Sequence, residues 1–174
     1  MKKLLSIFAM ALLLSCAQGL PPEFNTNLVT AKKMLELQAS EADFQAQLDL
    51  LHEDIQWQPV FFGSSVIGKE EFGKYLKGWQ DEMEDLVYTP NNWLPGVLAE
   101  TGMPDGSVRT YGTWSGTHSA TGVKWEMITY HTWDFKDGLI INGGDYFDAS
   151  GLMNFIQAEA IAQAAAAVEI EDAE

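Results

Sequence analysis

Apolar side chains recur every three or four residues in the first half of the chain, which is the spacing of amphipathic helices. One such segment covers 27–38, and a second carries Phe44, Leu48 and Leu51 on one face. The segment "DIQWQPVF" breaks this period and predicts a strand. Helical spacing returns in "GKEEFGKYLKGWQDEM", whose shared face holds Phe72, Tyr75, Leu76 and Trp79. The first half therefore predicts the order helix, helix, strand, helix.

The second half alternates between apolar and polar residues, as half-buried strands do. The segments "DLVYT" and "GVLAE" flank an Asn/Pro-rich turn, and long strands are predicted at "SVRTYGTWSGTH" and "VKWEMITYHTWDF". The turn "KDG" leads into "LIINGGDYFD", and residues 158–174 form an Ala-rich helix with an acidic tail. This α-α-β-α-β-β-β-β order indicates an α+β fold, in which a curved antiparallel sheet wraps over the N-terminal helices.

The first 15 residues have the composition of an export signal, because Lys2 and Lys3 precede an apolar run too short to span a bilayer. Cys16 follows this run and is the only cysteine of the chain. Residues 16–26 are polar and contain prolines, which predicts a tether ahead of one domain over 27–157. With a single thiol the domain has no internal disulfide, so its core alone must stabilise it.

The formal charge of the chain is strongly negative, at −15, and loss of two lysines with the signal would take it to −17. This acidity argues against nucleic acid and anionic membrane surfaces as partners. The sequence has neither a Walker-type phosphate loop nor a dinucleotide glycine fingerprint, so no cofactor is predicted. Its three histidines lack a metal-ligand spacing such as His-Glu-x-x-His, so no metal site is predicted either.

The strand "VKWEMITYHTWDF" has its large apolar residues on one face, which we expect to line a pocket. Alternation gives this face Trp125, Met127, Thr129, His131, Trp133 and Phe135. Trp57 and Trp114 occupy positions where they could line the same pocket, and indole N–H groups can bind the polar edge of a flat apolar ligand. The candidate ligand-binding residues are therefore Trp57, Trp114, Thr129 and Trp133.

Asp145 lies in an apolar segment, where a carboxylate is costly unless it is paired, solvated or used. A three-residue turn with a glycine bulge pairs Phe135 with Leu139 and brings Asp145 to the pocket face, diagonally beside His131. A two-residue Asp-Gly turn points Asp145 outward instead. His131 fits either a functional role or that of a core histidine bonded to a backbone carbonyl.

Three segments, in their order, resemble the SnoaL-like members of the nuclear transport factor 2-like superfamily. They are "DIQW" after a helix pair, "GKEEFGKYLKGW" and "FKDGLI…DYFDASGLM". The resemblance covers about Leu28 to Gln157 and implies a cone-shaped half-barrel that encloses a pocket. Members include ketosteroid isomerase, polyketide cyclases, limonene epoxide hydrolase and non-catalytic binding or dimerisation modules, so the fold leaves the function open.

The segment "DYFD" is similar to the part of limonene epoxide hydrolase that holds its catalytic base, which implies an inward Asp145. Where that hydrolase has an arginine and a second aspartate, this chain has Gly112 and Trp114, so the epoxide-opening acid is missing. The resemblance thus favours a domain that binds a small apolar molecule without established catalysis.

Two alternatives to simple binding stay open. One is a proton-transfer enzyme of the isomerase, cyclase or hydrolase type, with Asp145 as general base and His131 beside it. The other is an interaction module that forms a homodimer through its outer sheet face, made of Ile128, Tyr130, Ile140 and Tyr146.

The residues Leu13-Leu14-Ser15-Cys16 resemble the bacterial lipobox, in which the signal is cut before the cysteine and the thiol is lipidated. The resemblance implies a bacterial cell-envelope protein that contacts the membrane only through lipidated Cys16. Ala17, in place of the aspartate associated with inner-membrane retention, favours the outer membrane and a periplasmic domain. The alternative is an ordinary signal peptide with an incidental cysteine.

Overall fold

The computed structural model describes residues 19–40 and 44–171, so the predicted signal peptide and Cys16 lie outside the described residues. The elements are α1 (Pro22–Ser40), α2 (Phe44–Asp49), β1 (Leu51–Gln58), α3 (Lys69–Glu82), β2 (Met83–Val97), β3 (Pro104–His118), β4 (Lys124–Lys136), β5 (Leu139–Tyr146) and α4 (Ala149–Glu171). This order confirms the predicted α+β fold. Helix α1 begins at Pro22 rather than at Asn27, so it includes the end of the predicted tether.

The five strands form one mixed sheet in the order β1-β5-β4-β3-β2. Strands β2 to β5 make the expected antiparallel meander. The expectation of a wholly antiparallel sheet is wrong for β1, which pairs in parallel with β5 and places Trp57 beside Gly143. A parallel pair needs a long connection, and α3 together with the meander supplies it.

One strand, β2, replaces the two short segments predicted around the Asn/Pro-rich stretch. It pairs with β3 from Met83 to Val97, with shifts of register after Glu84, Pro90 and Pro95. Because β2 is an edge strand, its prolines need not donate to a second neighbour. Asn and Pro therefore mark bulges in this strand rather than its end.

The connection between β4 and β5 is a two-residue turn, not the predicted three-residue turn. Asp137 and Gly138 both have positive φ, 54° and 78°, as in the type I′ turn that matches the twist of paired strands. Lys136 accordingly pairs with Leu139.

A β-bulge directly after this turn corrects the direction of the rest of β5. Successive residues of β4 pair with Ile140 and Asn142, so Ile141 is an extra residue without a partner position. The alternation of β5 shifts by one, and Asp145 returns to the inner face. Ile140, predicted on the outer face, is fully buried instead.

The core lies between the concave face of the sheet and helices α1 and α3. The alternation predicted for β4 is observed. Trp125, Thr129, His131 and Trp133 are buried on the inner face, whereas Ile128 on the other face is 72% exposed. Trp57 from β1 stacks on Phe72 from α3, with ring centroids 4.2 Å apart. Across residues 19–40 and 44–171, no helix has the length and apolarity that crossing a membrane requires.

Candidate functional site

A cavity opens between the concave sheet face, α1 and α3. It contains about 630 Å³ of space free of protein atoms, part of it open to solvent. Five tryptophans contribute to its wall: Trp57, Trp79, Trp114, Trp125 and Trp133. Asp145 is the one carboxylate among the described residues that line it, and this lining includes no lysine or arginine.

Asp145 and His131 face each other across β4 and β5. They occupy paired positions rather than the predicted diagonal ones, because the bulge moves β5 by one residue. His131 Nδ1 lies 2.6 Å from Asp145 Oδ1. The two side chains are only 6% and 12% exposed. The aspartate thus lies on the pocket face, with a histidine as direct partner.

Trp114 and Thr129 both contact the other ring nitrogen of His131, Nε2. Trp114 Nε1 lies 3.0 Å from His131 Nε2, and Thr129 Oγ1 lies 3.0 Å from the same atom. An indole N–H can only donate, so Nε2 accepts this bond and carries no proton. In the neutral ring the proton is therefore on Nδ1, which donates to Asp145.

Tyr75 supplies a second donor to Asp145, from α3. Its Oη donates to Asp145 Oδ2 over 2.9 Å. Burial raises the pKa of Tyr75 well above its usual range, and the negative charge of Asp145 raises it further. Hydrogen bonds from the Trp79 side chain and the Val60 backbone lower this pKa, but by less. The phenol therefore stays protonated and acts as a donor. The sequence predicts only that Tyr75 lies on an apolar helix face, since no local spacing connects it with β5.

The predicted ligand-binding residues separate into two groups. Trp57, Trp114 and Trp133 line the cavity, whereas Thr129 does not. Thr129 is 1% exposed and lies behind His131, where its hydroxyl also approaches the Gly112 carbonyl at 3.5 Å. Thr129 thus supports the histidine and has no direct access to a ligand.

Two tryptophans that line the cavity have a buried indole N–H without a protein partner. Among the described residues, Trp57 Nε1 and Trp125 Nε1 make no hydrogen bond. Buried donors are usually bonded, so each unpaired group is unfavourable.

Gly112 has no space for the arginine that the resemblance to limonene epoxide hydrolase would require at this position. A Cβ atom there would lie 2.3 Å from Tyr88 Oη, and that hydroxyl is hydrogen-bonded to Thr110 Oγ1 at 3.1 Å.

In the part of the chain that the structure describes, no group of three His, Cys, Asp or Glu side chains is placed to hold a metal ion.

A family model of the SnoaL-like domain matches residues 31–142. The chain belongs to the SnoaL-like family. The matched segment includes His131 and Trp114 and ends shortly before Asp145. No curated protein matches the sequence significantly.

Solved structures with this fold come from proteins assigned to different reactions. A protein from Jannaschia sp. CCS1 assigned as a SnoaL-like polyketide cyclase superimposes with a TM-score of 0.68 at 13% identity, over 82% of this chain and 99% of that chain. An LEH-like epoxide hydrolase of M. tuberculosis gives 0.60 at 19% identity, over 83% and 98%. A protein from Bacillus subtilis assigned as an isomerase gives 0.62 at 19% identity, over 82% and 96%. At these identities the likeness shows the fold alone.

Proposed function

We propose that this SnoaL-like domain binds a small, largely apolar molecule in the cavity and orients it through Asp145. The observation that carries the proposal is the setting of this carboxylate, held between His131 Nδ1 and Tyr75 Oη in a wall made mainly of aromatic rings. Aromatic pockets with a few fixed polar groups are typical sites for small apolar ligands.

The carboxylate keeps acceptor capacity for a ligand. An ionised carboxyl group offers about four lone-pair positions, and its two protein donors each engage a different oxygen. A buried charge used only for structure would be unfavourable compared with an apolar residue of similar size. Recognition of a ligand donor gives Asp145 a role that offsets this cost.

The aromatic wall indicates what the rest of the ligand is like. Trp57, Trp114 and Trp133 line the cavity around Asp145 with large apolar rings. The expected molecule is therefore mainly apolar, with a donor for Asp145.

Proton transfer is the second candidate, favoured by the contact between Tyr75 and Asp145. Asp145 would take a proton from a carbon next to a ligand carbonyl, and Tyr75 would turn its O–H from Asp145 to the oxygen that gains charge. Both nitrogens of His131 are engaged, so the histidine positions Asp145 and is not itself the base.

The binding proposal is tested by native mass spectrometry of the protein purified from its host. The wild-type chain should carry a small molecule, and Asp145→Asn should lose it while keeping its near-UV circular dichroism. Asp137→Asn is the matched control, because Asp137 is an exposed turn residue with positive φ, which asparagine tolerates. Equal occupancy in Asp145→Asn and in the wild type would overturn the role of Asp145.

The catalytic candidate requires a further measurement on the molecule that is recovered. Incubation with the protein in D₂O should exchange a hydrogen of the ligand, detected as a mass increase, and Asp145→Asn should abolish the exchange. Binding without exchange would leave the domain as a binding module.

For the location of the domain, we propose that Cys16 is lipidated and anchors it to a membrane of a bacterial envelope. Support comes from the short apolar signal that ends in Leu14-Ser15-Cys16. Each buried methylene of an acyl chain contributes about 0.8 kcal/mol, so several chains make a firm anchor. Cys16→Ser should release the protein from membranes or block its processing. Unchanged fractionation and gel mobility would contradict the proposal.

A further inference from the structure

We infer that the pocket selects its ligand by charge: it accepts an apolar molecule with a neutral or cationic hydrogen-bond donor, such as a hydroxyl or ammonium group, and rejects carboxylates. The inference rests on the proposed function, because it requires the ligand to meet Asp145. It adds the substrate class, which neither the fold nor the family membership provides.

Asp145 meets two neutral hydrogen-bond donors, one on each carboxylate oxygen. They are Nδ1–H of His131 and the phenol of Tyr75. Donated hydrogen bonds favour the ionised form of a carboxyl group over the protonated one. The arrangement therefore fits an ionised Asp145, and the hydrogen bonds provide no positive charge to balance it.

His131 is the neighbour of Asp145 that could supply a balancing positive charge. A second proton on the ring would be on Nε2, where it would meet the N–H of Trp114 at a nitrogen–nitrogen distance of 3.0 Å. Trp114 is 8% exposed, so it has little freedom to move away. The histidine is thereby held as the neutral Nδ1–H tautomer.

Among the described residues, no lysine or arginine lines the cavity. Arg109 pairs with Asp134 at 2.9 Å, and Lys32 lies over the Trp93 ring, 5.6 Å from its centroid, outside the lining. A ligand carboxylate would consequently face Asp145 without a partner of opposite charge.

An unbalanced carboxylate in the pocket predicts a preference among ligands of the same shape. Like charges brought together in a poorly solvated site repel strongly, whereas a hydroxyl donates to a carboxylate in a charge-assisted hydrogen bond. We expect an alcohol to bind about 100-fold more tightly than the matched carboxylate, because juxtaposed like charges cost several kcal/mol. A neutral ester, which lacks the donor, should bind about 10-fold more weakly than the alcohol.

The test uses three probes with one ring system: 2-naphthylmethanol, methyl 2-naphthoate and 2-naphthoate. Their affinities for the full chain are measured at pH 7 by isothermal titration calorimetry. The expected order is alcohol, ester, carboxylate. Asp145→Asn should bring the affinities for alcohol and carboxylate closer together, and Asp137→Asn should leave the wild-type order unchanged.

The outcomes distinguish the inference from the proposed function. Equal or tighter binding of 2-naphthoate would overturn charge selection while supporting a binding pocket. Equal binding of alcohol and ester would overturn donor recognition by Asp145. A folded Asp145→Asn protein that keeps the full wild-type preference would overturn the assignment of charge selection to this residue. If that variant does not fold, the comparison of the three probes on the wild type still tests the inference. Failure of both neutral probes to bind would count against the binding function and the inference together.

Discussion

The two faces of β4 use the same alternation to build surfaces with opposite properties. On the inner face, His131 and Trp133 are 4% and 1% exposed, whereas Ile128 on the outer face is 72% exposed. Trp133 stacks between His131 and Trp93, with ring centroids 5.5 and 6.3 Å away. The inner side chains are fixed by stacking and hydrogen bonds, and this fixed geometry is what a selective pocket needs.

The outer face also carries aromatic rings, but they contact mainly one another. We call Tyr111, Ile128, Tyr130 and Tyr146 the outer aromatic patch. Tyr130 lies between Tyr111 and Tyr146, with ring centroids 4.4 and 5.8 Å away. Three of its members, Tyr111, Ile128 and Tyr146, are 44% to 72% exposed. The comparison shows that aromatic content alone does not mark a ligand site, since a pocket also needs helices that cover the sheet and polar groups directed inward.

Replacement of one buried and one exposed residue of β4 should separate the two faces most clearly. Trp133→Ala should lower the free energy of unfolding by about 3–5 kcal/mol, because it leaves a large cavity in the core. Glu126→Ala, the matched control from the outer face and outside the aromatic residues of that face, should change it by about 0.5 kcal/mol or less, because Glu126 is exposed. Urea denaturation followed by circular dichroism measures both. Similar losses in the two variants would contradict the assignment of faces.

The outer aromatic patch should join two copies of the chain. Apolar patches of this kind are rarely left bare on soluble monomers. Ile128→Lys should weaken the dimer by about 100-fold, the size expected for a central interface residue, and should leave the fold intact. Sedimentation at micromolar concentration should give the mass of two chains for the wild type and one for the variant. A wild-type mass of one chain would contradict the prediction.

Periodicity was sufficient to predict most of the fold. The apolar face of α3 and the buried face of β4 lie where the spacing of their residues put them, because each depends only on local alternation and on coverage by a neighbouring layer. The parallel pairing of β1 with β5 was missed, since the partner of a strand far along the chain leaves no local pattern.

Asp145 points inward for a reason that the sequence analysis did not identify. The turn has two residues instead of the predicted three. Ile141, the extra residue of the bulge, shifts the register by one and so returns Asp145 to the inner face. A usable signal was Gly143, because glycine inside a strand often marks a bulge or a close approach. A Cβ atom there would lie 2.6 Å from Cζ3 of Trp57. Tyr75 could not have been paired with Asp145 in this way, since only the packing of α3 on the sheet brings them together.

The smallest expected effect is that of removing the Tyr75 hydroxyl. This change tests the polar contact separately, because the aromatic packing around it is kept. Tyr75→Phe keeps the ring and removes the donor to Asp145, so it should lower the free energy of unfolding by about 1.5 kcal/mol at pH 7, the lower end of the range for a hydrogen bond to a charged group. Because the pKa of Tyr75 is raised in the folded protein, folding favours the protonated phenol. Its stabilising contribution is complete below the unfolded-state pKa of about 10 and is lost as the pH rises above it.

The measurement is urea denaturation of wild type and Tyr75→Phe at pH 7, 9 and 11. Every other titratable group is common to the two proteins, so their difference isolates Tyr75. The advantage of the wild type should be the same at pH 7 and 9. It should fall by about 1.4 kcal/mol at pH 11, because ionisation of the unfolded tyrosine contributes that amount for each pH unit above its pKa. A difference that stays constant to pH 11 would show that Tyr75 ionises as readily in the folded chain as in the unfolded one, and the hydrogen bond to Asp145 would then lose its support.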